Sequence, residues 1–296
     1  MRLAVATLAR HGAPVRHPLL GICALILSLP ACAQAQGIQP GWTFTSELNV
    51  VVSEGNSESL TLGLGARAEH GWTATAFRVE AKGVRTDASK KTRVAVGTSG
   101  DFEIVESKVR ETTAEALNVT ARLDRTLGDG IFTFAGLDWL RNTFAGVDGR
   151  YLAALGAGST LLDEEDIRLK ADLAGTYTFQ NDVVENPFVK RNFPGLRSGV
   201  FLWKRISSSA ETESQLVTDW NVQETEDLRL DWTNSLSVSV TSIVALQPSL
   251  QLQWRNQPSL TTVILFDPEG LDTGETVTVP LEKLDMFFRV ALVVTL

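Results

Sequence analysis

The feature that most constrains this chain is an alternation of apolar and polar residues with a period of two, which runs through most of the sequence. In its first segment the apolar positions hold Trp42, Phe44, Leu48, Val50 and Val52, and the positions between them hold mainly Thr, Glu, Asn and Ser. Because successive side chains of a β-strand point to opposite faces, this pattern predicts strands with one apolar and one polar face. No convincing amphipathic helix pattern interrupts it, so we expect an all-β protein.

The alternation divides into about twelve segments, and the connectors between them differ in length at the two ends. The predicted strands are 42–53, 58–69, 72–86, 108–123, 131–142, 150–161, 167–180, 197–207, 212–223, 228–240, 244–256 and 284–296. Every second connector is short, at 70–71, 124–130, 162–166, 208–211 and 241–243, whereas others are long, notably 87–107, 181–196 and 257–283. This layout is typical of outer-membrane barrels. We therefore expect an antiparallel transmembrane β-barrel of about twelve strands, with both termini periplasmic.

A soluble β-sandwich alternates in the same way and is the alternative fold. Three features favour the barrel. The polar faces carry many charges, such as Arg78, Glu80 and Lys82 on the third strand, which a wet barrel interior can pair. Tryptophans lie near predicted strand ends, where a membrane surface favours their rings, at Trp42, Trp72, Trp139, Trp220, Trp232 and Trp254. The last segment is an apolar stripe, and such an edge invites aggregation unless it pairs with the first strand.

Residues 1–35 have the character of a secretory signal and not of the fold. Three Arg residues flank or precede an apolar run at 19–29, which is too short to span a bilayer as a helix. Residues 33–35 (Ala-Gln-Ala) form a small-x-small cleavage site, so the predicted barrel domain is 36–296. The alternative is a lipoprotein box that would place a lipid on Cys32.

Removal of that segment restricts the chemistry that is available. Both Cys residues lie within it, and His70 is then the one histidine of the domain. Thiolate and Cys/His zinc sites are thus excluded, and a Ser-His triad would need His70 as its base. We expect His70 to lie in a two-residue turn at the short-turn end, without a catalytic role. The net charge of −8 becomes −11 without the three Arg residues, which argues against a nucleic-acid partner.

Three short stretches carry a family resemblance: residues 54–57 (Glu-Gly-Asn-Ser), a central segment, and residues 255–258 (Arg-Asn-Gln-Pro). The central segment joins 141–146 (Arg-Asn-Thr-Phe-Ala-Gly), Arg150-Tyr151 and 156–158 (Gly-Ala-Gly). These stretches resemble the salt-induced outer membrane protein family, domain of unknown function 481, over most of the chain from about residue 42. The resemblance implies an outer-membrane barrel with a link to salt or osmotic conditions, and it implies no catalytic residues.

The candidate functional residues are polar side chains on the less apolar face of the strands, which a barrel turns into its lumen. They are Glu47, Arg67, Arg78, Glu80, Lys82, Arg122, Asp138, Arg168, Lys170 and Asp172, together with Asn49, Glu69, Arg110 and Arg289. Both signs of charge are well represented, so no strong ion selectivity is expected. Gly156 and Gly158 share this face and leave room for large side chains opposite.

Two further charged groups are weaker candidates. Residues 163–166 (Asp-Glu-Glu-Asp) offer clustered oxygens to a hard cation but lack the spacing of a dedicated loop, so a solvated turn is preferred. External loops would carry the basic residues Lys90, Lys91, Arg93, Lys190 and Arg191. These side chains suit lipopolysaccharide phosphates, and plain solvated loops are the simpler interpretation.

The sequence thus predicts a non-enzymatic outer-membrane protein without cofactors, envelope-structural or related to osmotic stress. A small passive diffusion channel and a periplasmic β-sandwich binding module or lipoprotein are the alternatives. The expected partners are outer-membrane lipid, lipopolysaccharide and the assembly machinery that reads the C-terminal strand, and nucleic acid is not expected. Arg289, Ala291, Val294 and Leu296 occupy the places of that assembly signal, with Ala291 and Leu296 departing from its usual Gly and Phe.

Overall fold

The computed structural model describes residues 40–53, 57–98, 101–185, 187, 190–268 and 271–296. The predicted signal at 1–35 and most of the family-like stretch at 54–57 lie outside these residues. The strands are β1 (Gly41–Ser53), β2 (Ser57–Gly71), β3 (Thr75–Thr98), β4 (Asp101–Gly128), β5 (Ile131–Asn142), β6 (Val147–Glu164), β7 (Ile167–Asp182), β8 (Asn192–Ser207), β9 (Ala210–Asn221), β10 (Leu228–Ser239), β11 (Val244–Arg255), β12 (Leu260–Phe266), β13 (Asp272–Pro280) and β14 (Leu284–Thr295). Within the described ranges, no helix is long and apolar enough to cross a membrane.

Twelve of the described strands close into one antiparallel barrel, in the order β1-β14-β11-β10-β9-β8-β7-β6-β5-β4-β3-β2. The two others, β12 and β13, form a separate sheet in the connector between β11 and β14. Each predicted segment corresponds to one barrel strand. The predicted antiparallel barrel of twelve strands is therefore confirmed.

The predicted connectors are less regular than expected, because some contain strand. β3 and β4 continue through 87–107 as one hairpin, paired from Thr75↔Arg125 to Thr98↔Asp101. Polar residues dominate this extension, and a hairpin can pair through its backbone without presenting an apolar face, so alternation does not reveal it. In the connector 257–283, β12 and β13 pair from Leu260↔Pro280 onward.

The outer face of the barrel is apolar and exposed. Leu155, Phe288 and Met286 expose 72%, 70% and 69% of their surface, and each alternates with less exposed neighbours along its strand. A continuous apolar surface of this extent is unusual on a water-soluble domain. Trp42 lies at the short-turn end of the wall, and Trp254 is next to last in β11 at the long-loop end.

The inner face carries a small apolar cluster on β5, β6 and β7, formed by Phe132, Phe134, Leu152, Ala154 and Ala174. Two glycines of β6 lie against its rings. A Cβ added at Gly156 would lie 2.8 Å from Phe134 Cε1, and one added at Gly158 would collide with Phe132 Cζ. Both glycines therefore leave space inside the barrel for a phenylalanine ring.

The wall closes where β1 meets β14, and this seam is short. The two strands pair from Thr45↔Thr295 to Leu48↔Leu292, whereas β14 pairs with β11 from Val244↔Val294 to Trp254↔Leu284. Phe44 and Leu296 extend the seam by exchanging two backbone hydrogen bonds of 3.0 and 2.8 Å. Barrel closure thus depends on a few residues at the end of the last strand.

Candidate functional site: a charged lumen

A connected group of charges lines the inner face of β1, β2 and β3, because the register places Arg67 opposite Glu80. Arg67 Nε donates to Glu80 Oε2 at 2.8 Å. Lys82 Nζ lies 2.5 Å from Glu80 Oε1 and 4.0 Å from Glu47 Oε1. Two cations therefore share one carboxylate.

Arg122 makes a contact that crosses the interior. Its Nη2 lies 3.0 Å from Asp172 Oδ2 on β7 and 2.9 Å from Asp124 Oδ1 on its own strand. Because β5 and β6 separate β4 from β7 in the wall, the pair between Arg122 and Asp172 spans inner space. The guanidinium stacks on Phe134, with Cζ 3.7 Å from the ring centroid, and this contact orients it.

Arg197 joins two carboxylates nearer the long-loop end. It pairs with Asp138 on β5, and its Nε donates to Asp219 Oδ1 on β9 at 2.7 Å. The three side chains are 17–20% exposed, so water screens these ion pairs only partly. β5 and β8 are not neighbours in the wall, so this pair also crosses the lumen.

Arg229 forms a third crossing contact at the same end. Its Nε and Nη2 donate to the two carboxylate oxygens of Asp227 at 2.8 and 2.9 Å, a bidentate geometry that fixes the guanidinium plane. Its Nη1 donates to Gln180 Oε1 at 2.7 Å, which links β10 to β7. The three crossing contacts therefore lie at two depths of the lumen, with Arg122 nearer the short-turn end and Arg197 and Arg229 nearer the long-loop end.

The remaining lumen candidates have local partners or none. Arg78 pairs with Glu69 on the neighbouring strand, and Arg168 Nε donates to Asp163 Oδ1 at 2.6 Å beside the turn between β6 and β7. Arg289 Nη2 donates to Gln251 Oε1 at 2.7 Å. Within the described ranges, Asn49 Oδ1 is a buried atom without a hydrogen-bond partner. Lys170 makes neither an ion pair nor a hydrogen bond there.

The prediction that Arg110 faces the lumen is wrong. Its Nη2 lies 3.4 Å from Asp87 Oδ2, and Asp87 in turn pairs with Arg85. A register shift at Thr86/Asp87 places one extra residue, Thr113, in β4. Because side chains alternate with a period of two, one extra residue reverses the phase of everything beyond it. Arg110 is therefore on the opposite face from Arg122.

Sequence reasoning missed several charged residues of the long-loop end. Arg197 was hard to assign because both faces of β8 are similarly apolar, with Phe201 and Trp203 on the face that turns inward and Leu196 and Val200 on the other. Arg229 had a clear signal, since it alternates with leucines at the start of β10. Arg150 and Arg255 lie near strand ends, where few alternating residues remain to indicate which side chains face inward.

The connector between β11 and β14 spans the long-loop mouth. Gly146, in the connector between β5 and β6, has φ of +76° and packs so closely on the base of this connector that an added Cβ would collide with Ser259 and lie 3.1 Å from Leu281 Cδ1. β11 and β6 are almost opposite in the strand order, so a contact between these connectors crosses the mouth. Gln257 Nε2 also donates to Glu226 Oε2 at 3.2 Å, on the connector between β9 and β10.

His70 lies in β2 and not in a turn, which corrects the prediction for this residue. Its ring sits between those of Trp42 and Trp72, with centroid separations of 4.7 and 4.3 Å. Among the described residues, His70 Nδ1 is buried without a hydrogen-bond partner. Aromatic contacts at the short-turn end therefore hold this ring.

The acidic turn and the basic loops show no built ligand site in the part of the chain that the structure describes. No group of three or more His, Cys, Asp or Glu side chains is arranged there to hold a metal ion. Within 163–166, Asp166 Oδ1 lies 3.0 Å from Arg205 Nη1. Arg191 pairs with Glu185 at 3.2 Å, whereas the side chains of Lys90, Lys91 and Arg93 lie outside the described residues.

Comparison with solved structures returns outer-membrane proteins at very low sequence identity. The NanC porin is matched over 86% of this chain and 100% of that chain, with 9% identity and a TM-score of 0.42. An anion-selective porin from Comamonas acidovorans is matched over 86% and 99%, with 10% identity and a TM-score of 0.36. A bacterial polysaccharide outer membrane secretin is matched over 86% and 96%, with 7% identity and a TM-score of 0.39. We infer no function from likeness at this level.

No functionally curated protein matches the sequence. A family model described as protein of unknown function, DUF481, matches residues 46–262, which is well over half of the chain. This match agrees with the resemblance seen in the three short sequence stretches. The chain therefore belongs to the DUF481 family.

Proposed function

We propose that this chain is an outer-membrane barrel with a non-enzymatic, envelope-related role, whose lumen admits at most water and small ions. The observation that carries the proposal is the division between the two faces of the wall. The outer face is apolar, with Trp42 and Trp254 near its two ends, whereas the inner face holds the ion pairs. Lipid on one side and water on the other favour this arrangement.

Side chains inside the lumen and the connector above its mouth favour restricted passage. Eight-stranded barrels are filled by side chains and sixteen-stranded ones leave a channel, so for twelve strands the contents decide. Here Arg122, Arg197 and Arg229 each reach across to a strand that is not a neighbour. The connector 256–283 then spans the mouth through Ser259. Together these groups narrow the path at three successive depths.

Single-channel conductance of the purified protein in planar bilayers tests this proposal. The wild-type barrel is expected to be nearly silent. A variant in which residues 256–283 are replaced by a short Gly-Asn-Gly turn is expected to conduct several-fold more, because Arg255 N and Lys283 O are only 2.8 Å apart and a short turn can join them.

A matched control removes only residues 260–280 and keeps Ser259 and Leu281, whose backbone groups are 2.9 Å apart. This control is expected to stay as silent as the wild type, since it retains the contact with Gly146. A wild-type conductance as large as that of the variant without the connector would contradict restricted passage.

Such a result would favour a small passive diffusion channel, which is the second candidate function. One observation supports it. Beside charged residues such as Asp219 and Arg229, the inner face of β9, β10 and β11 carries neutral polar side chains, including Gln215, Thr233 and Gln253. These side chains would offer a hydrated path between the ion pairs of the lumen.

The location, the orientation and the partners form part of the same proposal. The short turns and both chain termini would face the periplasm. β14 would present the assembly signal, and the outer face would contact lipid and lipopolysaccharide. Membrane fractionation together with heat-modifiable migration on detergent gels tests the location, and a protein that stays soluble without detergent would contradict it. The link to salt stress is tested by comparing growth of a deletion strain and its parent at high osmolarity.

A further inference from the structure

Four arginines from different strands converge at the long-loop end of the lumen. Arg150 on β6 and Arg229 on β10 line one small cavity together with Asp219, which pairs with Arg197 of β8. Arg255 on β11 is the direct register partner of Arg229. Guanidinium groups remain charged in proteins, so bringing them together is unfavourable unless anionic groups balance them. Each of these charges therefore needs an anionic partner.

Two of the four are fully matched by carboxylates, and two are not. Arg197 holds Asp138 and Asp219, and Arg229 holds Asp227 in a bidentate pair. Among the described residues, Arg150 makes no ion pair and no hydrogen bond. Arg255 there has one hydrogen bond, from Nη1 to Ser259 Oγ at 3.3 Å.

Arg150 lies beside a small cavity inside the lumen. Arg150 lines a small cavity together with Thr176, Thr178, Asn221 and Arg229, and the cavity has room for roughly one water molecule. Asp219 and Asp227 also line it, and both are already engaged by arginines. Among the described residues, the charged donor of this pocket without an ion-pair partner is therefore Arg150.

Arg255 connects this pocket with the mouth. Ser259, which accepts its hydrogen bond, is the residue that packs on Gly146 across the mouth. Asp182 and Asp285 lie within electrostatic range of Arg255, and neither forms an ion pair with it in the described structure. Arg255 is therefore held mainly by a single neutral contact of the connector that covers it.

We propose that Arg150 and Arg255 form a binding site for a small oxyanion, a carboxylate or phosphate group, beneath the connector that spans the mouth. A planar guanidinium offers paired N–H donors that match two oxygens of such a group. A spherical anion such as chloride has no second acceptor atom for the paired donors. Because the cavity has room for roughly one water molecule, it would take a single oxygen of the anion, and the rest of the group would lie beside Arg255 beneath the connector. The site concerns the lumen of the proposed barrel but does not require that the lumen conducts.

The test is isothermal titration of the full-length barrel in detergent micelles at pH 7 and constant ionic strength, with sodium phosphate, sodium acetate and sodium chloride as separate titrants. Wild-type protein is expected to bind phosphate or acetate saturably and chloride at least tenfold more weakly. Arg150→Gln is expected to weaken oxyanion binding at least tenfold. The matched control is Arg125→Gln, because Arg125 is an exposed arginine at the short-turn end of β4, away from the proposed site at the long-loop end. This variant is expected to bind as the wild type does.

Arg150→Lys keeps the charge without the paired donors and is expected to bind with intermediate affinity, which preserves the test should Arg150→Gln fail to fold. The proposal is overturned by a wild-type barrel that binds neither oxyanion saturably, or by Arg150 variants that bind as tightly as the wild type. Comparison of the phosphate and acetate arms identifies which oxyanion is preferred. A silent or a conducting barrel leaves these outcomes unchanged, so failure here is distinguishable from failure of the proposed restricted passage.

Discussion

Gly156→Ala should destabilise the barrel, because the inner aromatic cluster occupies the space that a Cβ would need. The added atom would lie 2.7 Å from Ala174 Cβ and 2.8 Å from Phe134 Cε1, and it would also collide with the Leu173 carbonyl oxygen. A ring can turn aside, but a backbone carbonyl moves only if β6 and β7 separate. Overpacking of this kind costs about 1–3 kcal/mol. Replacing glycine by alanine offsets up to about 1 kcal/mol through the unfolded chain, so we expect a net loss of about 1–2 kcal/mol.

The assay is urea unfolding of the barrel in detergent micelles, followed by tryptophan fluorescence. Gly175→Ala is the matched control, since Gly175 lies on the adjacent strand β7 and no atom lies within 4 Å of its added Cβ. Its free energy of unfolding should equal or slightly exceed that of the wild type. Adding Phe134→Leu to Gly156→Ala should recover only the part of the loss that comes from the ring.

Two results would refute this reasoning. Equal free energies of unfolding for Gly156→Ala and Gly175→Ala would mean that the cluster around Phe134 is not packed as described. Full recovery in the double variant would mean that the Leu173 carbonyl does not restrain the strands. Either outcome would remove the argument that small residues of β6 exist to accommodate rings inside the barrel.

Three further predictions address the charges and the seam. Arg197→Gln leaves two partly buried carboxylates without their shared cation, and we expect it to lower the free energy of unfolding by about 2–4 kcal/mol at pH 7. An unchanged urea midpoint would contradict the crossing contact. Glu80→Gln removes the carboxylate that two cations share and should cost about 1–2 kcal/mol in the same assay, less than Arg197→Gln because its partners reach water. Deletion of residues 294–296 removes two of the four register pairs between β1 and β14 and both backbone hydrogen bonds between Phe44 and Leu296. The heat-modifiable folded band should therefore be lost from detergent gels. Full retention of that band would show that the seam does not need these three residues.

The local sequence pattern predicted most of the fold. Alternation with a period of two is a property of each strand alone, so it located all of the barrel strands and assigned the inward phase of residues such as Arg67 and Asp172. It failed where the phase changes within a strand, as at Arg110 beyond the extra residue in β4. It also failed where both faces are equally apolar, as around Arg197 in β8. These failures share one cause, since a period-two rule has no information beyond its own uninterrupted segment.

The sequence by itself determined the twelve barrel strands, their apolar outer faces and part of the set of charges in the lumen, because each follows from residues close together in the chain. Only the tertiary structure decided which charges meet, since closing the barrel places Arg122 beside Asp172 although β5 and β6 lie between their strands. It likewise decided that the connector after β11 crosses to Gly146, and that Arg150 forms no ion pair with a carboxylate of the described residues. The shear and curvature of a closed barrel set these distances, and neither is written in a local pattern.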